Sequence, residues 1–445
     1  MTIETRETPP ESDTRLVAWV RQAAPYIHAF RGRTFVVAFG GEVLADGAAQ
    51  ALMYDIALLD SMGIRLVLVH GARPQIDAEM HDRNLEPRFH KSLRVTDAAA
   101  LECVKRAMGV TRIEIEALLS QGLPNTPMAG AFLRVTGGNF ITARPVGVLD
   151  GVDFQYTGAV RKVIAEEIQG DLAQENVVLI TPIGASPTGE IFNLAWEEVA
   201  EAVAVAIQAD KLIYLSDAPG LVDRKGVAID ALTVDEAEQL RRKVAQAPEI
   251  SRVLPGSIRA LRGGVGRVHF LDRKADGAML MEFFTRDGYG TVMTQDPLAR
   301  LRDATIDDVG AILGLIEPLE ADGTLVKRGR ERLEMEITRF SVVEHDGVIV
   351  GCAALYPFSG EKAAELACLA VTPAFRRAGY GDQLRKHIEA RAKKLKLKKL
   401  FVLTTRTAHW FVERGFVEAE LDALPKARRE LYNYQRRSKV LVKTL

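Results

Sequence analysis

Residues 376–381, RRAGYG, have the composition of an anion-binding turn. They follow an apolar run and open an amphipathic stretch with Leu384 and Ile388 on one face. Gly379 and Gly381 let the backbone bend until its N–H groups converge at a helix N-terminus, where the partial positive charge suits a pyrophosphate. The same residues also fit an ordinary glycine turn before a helix. A second turn, VVAFGGEV at 36–43, ends a strand in the shape many enzymes bring up to a phosphate, yet it holds no lysine. Ala38 sits mid-strand where a fixed cation would project, and phosphoryl transfer needs such a cation to hold the charge spread over the phosphate oxygens. The turn has the form of a kinase site without its chemistry.

The elements that must position these residues fall into two groups. At 445 residues the chain exceeds what one core organises, so two domains are expected. The 58 Lys+Arg against 59 Asp+Glu, formally -1, give no global field favouring nucleic acid or an anionic membrane, and neither partner is expected. Cys103, Cys352 and Cys368 are odd in number and widely spaced, which fits neither a disulfide framework nor a zinc site. No metal is expected, and a reducing cytoplasm is the natural compartment. The polar start has no apolar core of a signal peptide, and no run of about 18 apolar residues follows. Residues 1–14 are read as a disordered tail.

Leu16, Val20, Ala23, Ala24, Ile27 and Phe30 recur at helical spacing and predict a helix over 14–31, capped by Asp13 and kinked at Pro25. From Phe35, β-branched runs (TFVVAF, RLVLVH, NVVLIT, KLIYLS) alternate with helical stretches, the pattern of an open αβα sandwich with a mostly parallel sheet. Ligands bind such sheets where strand C-terminal ends meet helix N-termini. The rhythm breaks near VMTQDPLARLRDATIDD, so a first domain over 15–296, a linker over 297–302 and a second domain over 303–445 are expected. In the second, FSVVEHDGVIVGCAALYPF reads as a hairpin turning at Asp346-Gly347, followed by AELACLAV and the RRAGYG helix. Five lysines between Lys393 and Lys399 read as a solvated helix end, from which one lysine could meet a phosphate.

The second domain resembles the GNAT acetyltransferase superfamily, whose acetyl-CoA loop R/Q-x-x-G-x-G/A is matched by Arg376, Gly379 and Gly381, with Tyr380 between the glycines. The resemblance implies an α+β fold in which two splayed strands, LACLAV and LFVLTT here, take the pantetheine arm. It implies acetyl-CoA as co-substrate and backbone N–H groups near Cys368, Leu369 and Val371 around the thioester carbonyl. Cys368 itself suits a small core residue better than a nucleophile. An ammonium has no lone pair for a thioester, so a base is required. Glu365 fits that role, although a solvated strand-end carboxylate would look the same. Where many GNAT enzymes place an acidic tyrosine this chain has Phe411, so Thr404 is assigned as the proton donor.

The first domain resembles the amino acid kinase family, acetylglutamate kinase in particular, through FGG, VLVHGARPQID, LRVTD, FNLAWEEVA and LSDAPGLV. That family carries a lysine where this chain has Ala38 and glycines where it has Ala72 and Arg73. A carboxylate that organises the kinase lysines becomes Glu197. The resemblance therefore implies a scaffold that no longer transfers phosphate.

A kinase-like domain followed by a GNAT domain is similar to the two-domain bacterial amino-acid N-acetyltransferases, which acetylate L-glutamate at the first step of arginine biosynthesis. Carried over, Arg328 and Arg436 would meet the glutamate carboxylates, with Ser438 and the backbone at Leu403 assisting. An L-arginine effector site would lie at Tyr26, His269, Glu282, Gly288, Tyr289 and Gly290, and a homohexamer is implied. Two other readings compete: a bifunctional synthase and kinase, and an arginine-sensing protein without catalysis.

Overall fold

A computed structural model of the chain describes residues 11–445 apart from 48, 123, 286, 287 and 377. The first ten residues of the expected tail lie outside the described residues, as do Arg377 of RRAGYG, Ala48 at an expected helix start, and Arg286 and Asp287. The described chain forms two compact units that divide between Asp296 and Pro297.

The first unit opens with α1 (Glu11–Phe30), which starts earlier than the sequence suggested. Asp13, the expected N-cap, therefore falls inside the helix, which runs on through Pro25. Ile27 and Phe30 pack onto the core, whereas Leu16, Val17 and Val20 are exposed in the single chain. The central sheet uses β1 (Thr34–Phe39), β2 (Arg65–His70), β3 (Val135–Thr136), β4 (Val177–Ile180), β5 (Lys211–Ser216), β6 (Ala231–Thr233), β7 (Arg267–Asp272) and β8 (Thr291–Thr294). Their order is β6-β8-β7-β5-β1-β2-β4-β3, parallel throughout except between β7 and β8.

Both faces of this sheet are apolar because successive residues point to opposite sides. Val36 and Ala38 of β1 pack with Val199 and Val203 from the helix Trp196–Ala206, while Phe35, Val37 and Phe39 pack with Met53, Ile56, Phe283 and Phe284. That is the open αβα sandwich the alternating pattern predicts.

The second unit is α+β. Its strands are β9 (Ala299–Asp303), β10 (Phe340–His345), β11 (Val348–Phe358), β12 (Ala363–Val371), β13 (Lys399–Thr404), β14 (Val417–Ala419) and β15 (Lys439–Thr444), in the order β9-β10-β11-β12-β13-β15-β14. Residues 299–302, read from sequence as linker, form the edge strand β9 together with Asp303. Arg302 ties it to Asp308 and to Glu344 of β10. Asp346 and Gly347 both take positive φ, 51° and 77°, as a two-residue hairpin turn of this twist requires. Only β12 and β13 run parallel, and they pair over just three positions, Ala363 to Glu365 against Lys399 to Phe401. Beyond Glu365 the strands part.

Candidate active site

The opening between β12 and β13 gathers most of the residues singled out in the second domain, though not Ser438. Glu365 is the last residue of β12 paired with β13 and is almost fully buried. It shares its face with Ala363, Phe401 and Leu403, which pack against Leu424 near the chain's end. Thr404, at the end of β13, continues the opposite face, that of Leu400 and Val402, which packs on Leu384 and Ile388 of the helix Tyr380–Lys394. The base and the proton donor expected from sequence thus stand on opposite faces of the sheet beside one gap.

Cys368 causes a local irregularity in β12. Its φ is +52°, uncommon for a non-glycine residue, and the pairing with β11 shifts register there. Such a bulge inserts one residue and reverses which side each following side chain takes. Accordingly Leu366 packs on the helix Tyr380–Lys394 side, whereas Cys368 and Ala370 pack on the other, with Ile312 and Ile316. Burial pushes the Cys368 thiol up to about 11, so the side chain is a core group and not a nucleophile. Beyond the bulge, the Thr372 N–H bonds back to Val350 O at 2.9 Å. Backbone alternation then directs the N–H group of Val371 away from β11 and toward the open gap, while Leu369 lies within the irregular stretch.

In the RRAGYG loop, Gly381 stands beside the end of β12: a Cβ built on it would lie 3.9 Å from Val371 and 3.5 Å from Trp410. Gly379 caps the helix Tyr380–Lys394 with φ +79°, and nothing lies within 4 Å of where its Cβ would stand. Its requirement for glycine is therefore conformational. Tyr380 and Gly381 belong to the first helical turn, where N–H groups have no intrahelical acceptor. The Arg376 side chain is exposed. The Tyr380 hydroxyl lies 2.7 Å from His345 Nδ1, bracing the loop against the end of β10. Phe411 is core, packed on Phe416. Thr404 Oγ1 accepts the Thr407 N–H at 3.1 Å and lies 2.9 Å from Thr407 Oγ1.

On the Glu365 face stand Arg328 and Arg436. Arg328 follows the helix Val309–Ala321, and its Nη1 donates to Val326 O at 3.1 Å while its Nε is buried with no partner. Its guanidinium lies 5.9 Å from the ring of Tyr356, which pairs with Glu365 across β11 and β12. Arg436 donates to the carbonyl oxygens of Thr324 and Gly323. Ser438 is buried and faces a separate cavity with Glu418 and Tyr432, while Leu403 pairs with Val440. Arg428, which the sequence did not single out, binds Glu365 directly through two hydrogen bonds.

In the first unit a cavity of about 530 Å³ is lined by Ala72, Arg73, Trp196 and Glu197 among others. Arg73 enters it, stacked 4.3 Å over Phe89. Glu197 pairs with Arg252 at 3.1 Å, and burial holds its carboxyl above the usual range. Gln75 packs on the glycine turn, its Nε2 donating to Gly41 O at 2.7 Å. Ala38 is fully buried. The expected effector residues also meet: His269 lies 2.6 Å from Glu282 Oε1, and Glu282 Oε2 accepts the N–H groups of Tyr289 (2.7 Å) and Gly290 (3.0 Å). Gly290 has no room for a Cβ, which would stand 2.2 Å from Phe270 O. Gly288 has φ +66°. Tyr26 packs on the same core through Phe30. Glu282, read as the partner of an effector guanidinium, thus has both oxygens engaged inside the protein.

Among the described residues no cluster of three or more His, Cys, Asp or Glu could hold a metal, and no helix is long and apolar enough to cross a membrane.

Residues 33–272 match the amino acid kinase family and residues 316–416 the acetyltransferase (GNAT) family, which defines the class as an N-acetyltransferase domain joined to a kinase-like one. The chain is 52% identical to an amino-acid acetyltransferase of Ralstonia nicotianae, over 98% of this chain and 97% of that protein. N-acetylglutamate synthase from Neisseria gonorrhoeae in complex with coenzyme A and L-arginine is 40% identical over 96% of this chain and 99% of that one, with a TM-score of 0.87. Its complex with coenzyme A and N-acetyl-glutamate covers the same shares, with a TM-score of 0.61. The chain belongs to the two-domain N-acetylglutamate synthase family of amino-acid acetyltransferases.

Proposed function

We propose that this protein transfers the acetyl group of acetyl-CoA to the α-amino group of L-glutamate, the first step of arginine biosynthesis. The observation that carries the reading is the gap between β12 and β13, which opens at Glu365. Glu365 accepts the proton of the incoming ammonium, which frees the nitrogen lone pair to attack the thioester carbon. The N–H groups of Leu369 and Val371 face the carbonyl oxygen as charge develops on it. Thr404 donates its hydroxyl proton to the departing sulfur as the C–S bond breaks and is reprotonated by the second proton that the nitrogen sheds as the amide forms. Arg328 and Arg436 take the carboxylates of the acceptor, with the Leu403 backbone beside them, whereas Ser438, expected to assist, lines the cavity with Glu418 and Tyr432 instead. The Gly379–Gly381 turn, flanked by Arg376, receives the pyrophosphate of the coenzyme.

The kinase-like unit serves as a regulatory scaffold. Ala38 supplies no cation, and Gln75 occupies the turn that would cradle a phosphate. L-Arginine acts as a feedback effector at the His269–Glu282 site, where it competes for the contacts Glu282 makes with the Tyr289–Gly290 backbone. The exposed apolar residues of α1 fit self-association, and a homohexamer in the cytoplasm is the assembly this reading implies.

Thiol release from acetyl-CoA, measured across the proteinogenic amino acids, tests the reading. L-Glutamate is expected to be preferred by a wide margin, and a better acceptor of another type would refute it. Hydroxamate formation with ATP and N-acetylglutamate tests the scaffold reading, for which no product is expected.

A further inference from the structure

Arg428 holds Glu365 in a fork: its Nε donates to Oε2 at 2.6 Å and its Nη2 to Oε1 at 3.2 Å. The two side chains keep only 20% and 12% of their exposure. Arg428 stands on a single helical turn, Lys426–Arg429, which is pinned by the Lys426 N–H to Glu361 and by Arg429 to the carbonyls of Asp422 and Leu424. Burial and the nearby charges of Arg328 and Arg428 hold Arg436 below the usual guanidinium range. Arg328, Arg428 and Arg436 therefore share one electrostatic neighbourhood with Glu365, and Arg428 is the one that bonds to it. Two further carboxylates near Arg328 and Cys368 are engaged elsewhere. Glu320 accepts the Arg328 backbone N–H, and Glu336 accepts the Tyr356 hydroxyl and pairs with Arg332 and Arg339.

We propose that Arg428 is a specificity-determining residue that exchanges Glu365 for a carboxylate of the acceptor, so that the base is released only when an acidic amino acid is bound. The inference rests on the reading of Glu365 as base. Replacing one carboxylate by another in the same planar fork keeps both charge-assisted hydrogen bonds, so the exchange loses little. Glutamine cannot make it. Its carboxamide presents one acceptor oxygen and an NH₂ group that opposes the guanidinium donors, and Glu365 stays clamped. Binding energy from the acceptor's distal carboxylate is thereby turned into availability of the proton acceptor, a form of induced fit.

The test compares thiol-release kcat/KM for L-glutamate and L-glutamine in wild type, Arg428→Gln and Arg428→Lys, with acetyl-CoA affinity as the control for folding. The expected result is that the glutamate-to-glutamine preference falls about tenfold or more in Arg428→Gln, with Arg428→Lys intermediate. Glutamine turnover should rise relative to glutamate turnover because Glu365 is free for every acceptor. Equal losses on both acceptors, with the preference intact, would overturn the proposal and leave Arg428 a structural residue. If Arg428→Gln no longer binds acetyl-CoA, Arg428→Lys decides by the same ratio. Failure of wild type to acetylate glutamate would instead remove the underlying reading.

Discussion

His269 Nδ1 and Glu282 Oε1 lie 2.6 Å apart in the core of the first unit, and the other ring nitrogen faces Lys211 Nζ at 3.3 Å. The ammonium donates to Nε2, so Nδ1 carries the hydrogen and donates it to the carboxylate. Burial, and then the Lys211 charge, hold the imidazole down at about 4 against the opposing pull of Glu282. In the unfolded chain the ring takes its proton near pH 6.5. Between the two values the unfolded state binds more protons, so this contribution is complete above pH 6.5 and is lost as pH falls toward 4. Its size is on the order of 3 kcal/mol. The urea midpoint of the first unit should drop between pH 7 and pH 5, and His269→Asn should flatten the change. Glu282 does not blur the window: burial works to raise its carboxyl, but His269 and the backbone donors outweigh it and hold it at about 2. Identical midpoints at both pH values in wild type would contradict the assignment.

Because Glu282 is fully engaged, Glu282→Gln should have two effects. Three internal donors then face a single acceptor oxygen, which weakens the unit by about 1–3 kcal/mol. Inhibition by L-arginine should also disappear while acetyl transfer persists. Initial rates against arginine concentration check this, and inhibition equal to wild type would remove the proposed effector site.

Glu365→Gln keeps the shape of the side chain and removes the proposed proton acceptor. Turnover at neutral pH should fall by about a hundred- to ten-thousand-fold with acetyl-CoA affinity nearly unchanged. Part of the loss should return at high pH, where more of the acceptor arrives as free amine. Unaltered turnover at pH 7 would move the base to another residue.

Gly379→Ala places a Cβ in open space but on a left-handed backbone, a strain of about 1–2 kcal/mol. Calorimetric titration should show acetyl-CoA bound several-fold more weakly, with the KM for glutamate little altered. Equal affinity would mean that the turn does not shape the coenzyme site.

Ala38→Lys restores the missing cation by charge alone. No kinase activity should appear, because Ala38 is enclosed between Val69 and Tyr214 on neighbouring strands and Gln75 still covers the glycine turn. Acyl phosphate detected as hydroxamate in this variant would show that the lysine was the only barrier.

Much of this molecule could be read from residue patterns where geometry demands a residue type. Asp346-Gly347 was legible because few residues accept a pair of positive φ angles, and β1 because strict alternation fills two cores. Cys368 was not, since cysteine gives no hint of a left-handed backbone and the bulge it makes depends on the partner strand. Arg428 stayed hidden for another reason. It lies in a one-turn helix without periodicity, 63 residues from the carboxylate it binds. β9 was mistaken for a connection because its alternating charges, which suit an exposed edge, resemble those of a linker.

The placement of Glu365 and Thr404 on opposite faces of one gap also sets rules for small-molecule design. If the proposed acceptor and coenzyme sites hold, a compound that fuses an acceptor mimic to a coenzyme fragment passes edgewise between two strands, with its acidic head among the arginines on one face and its tail on the other. Rigid, flat linkers about as thick as an extended amide should therefore serve better than branched ones. Bulk placed at the junction would meet the backbone of Leu369 and Val371, where no change of side chain could make room.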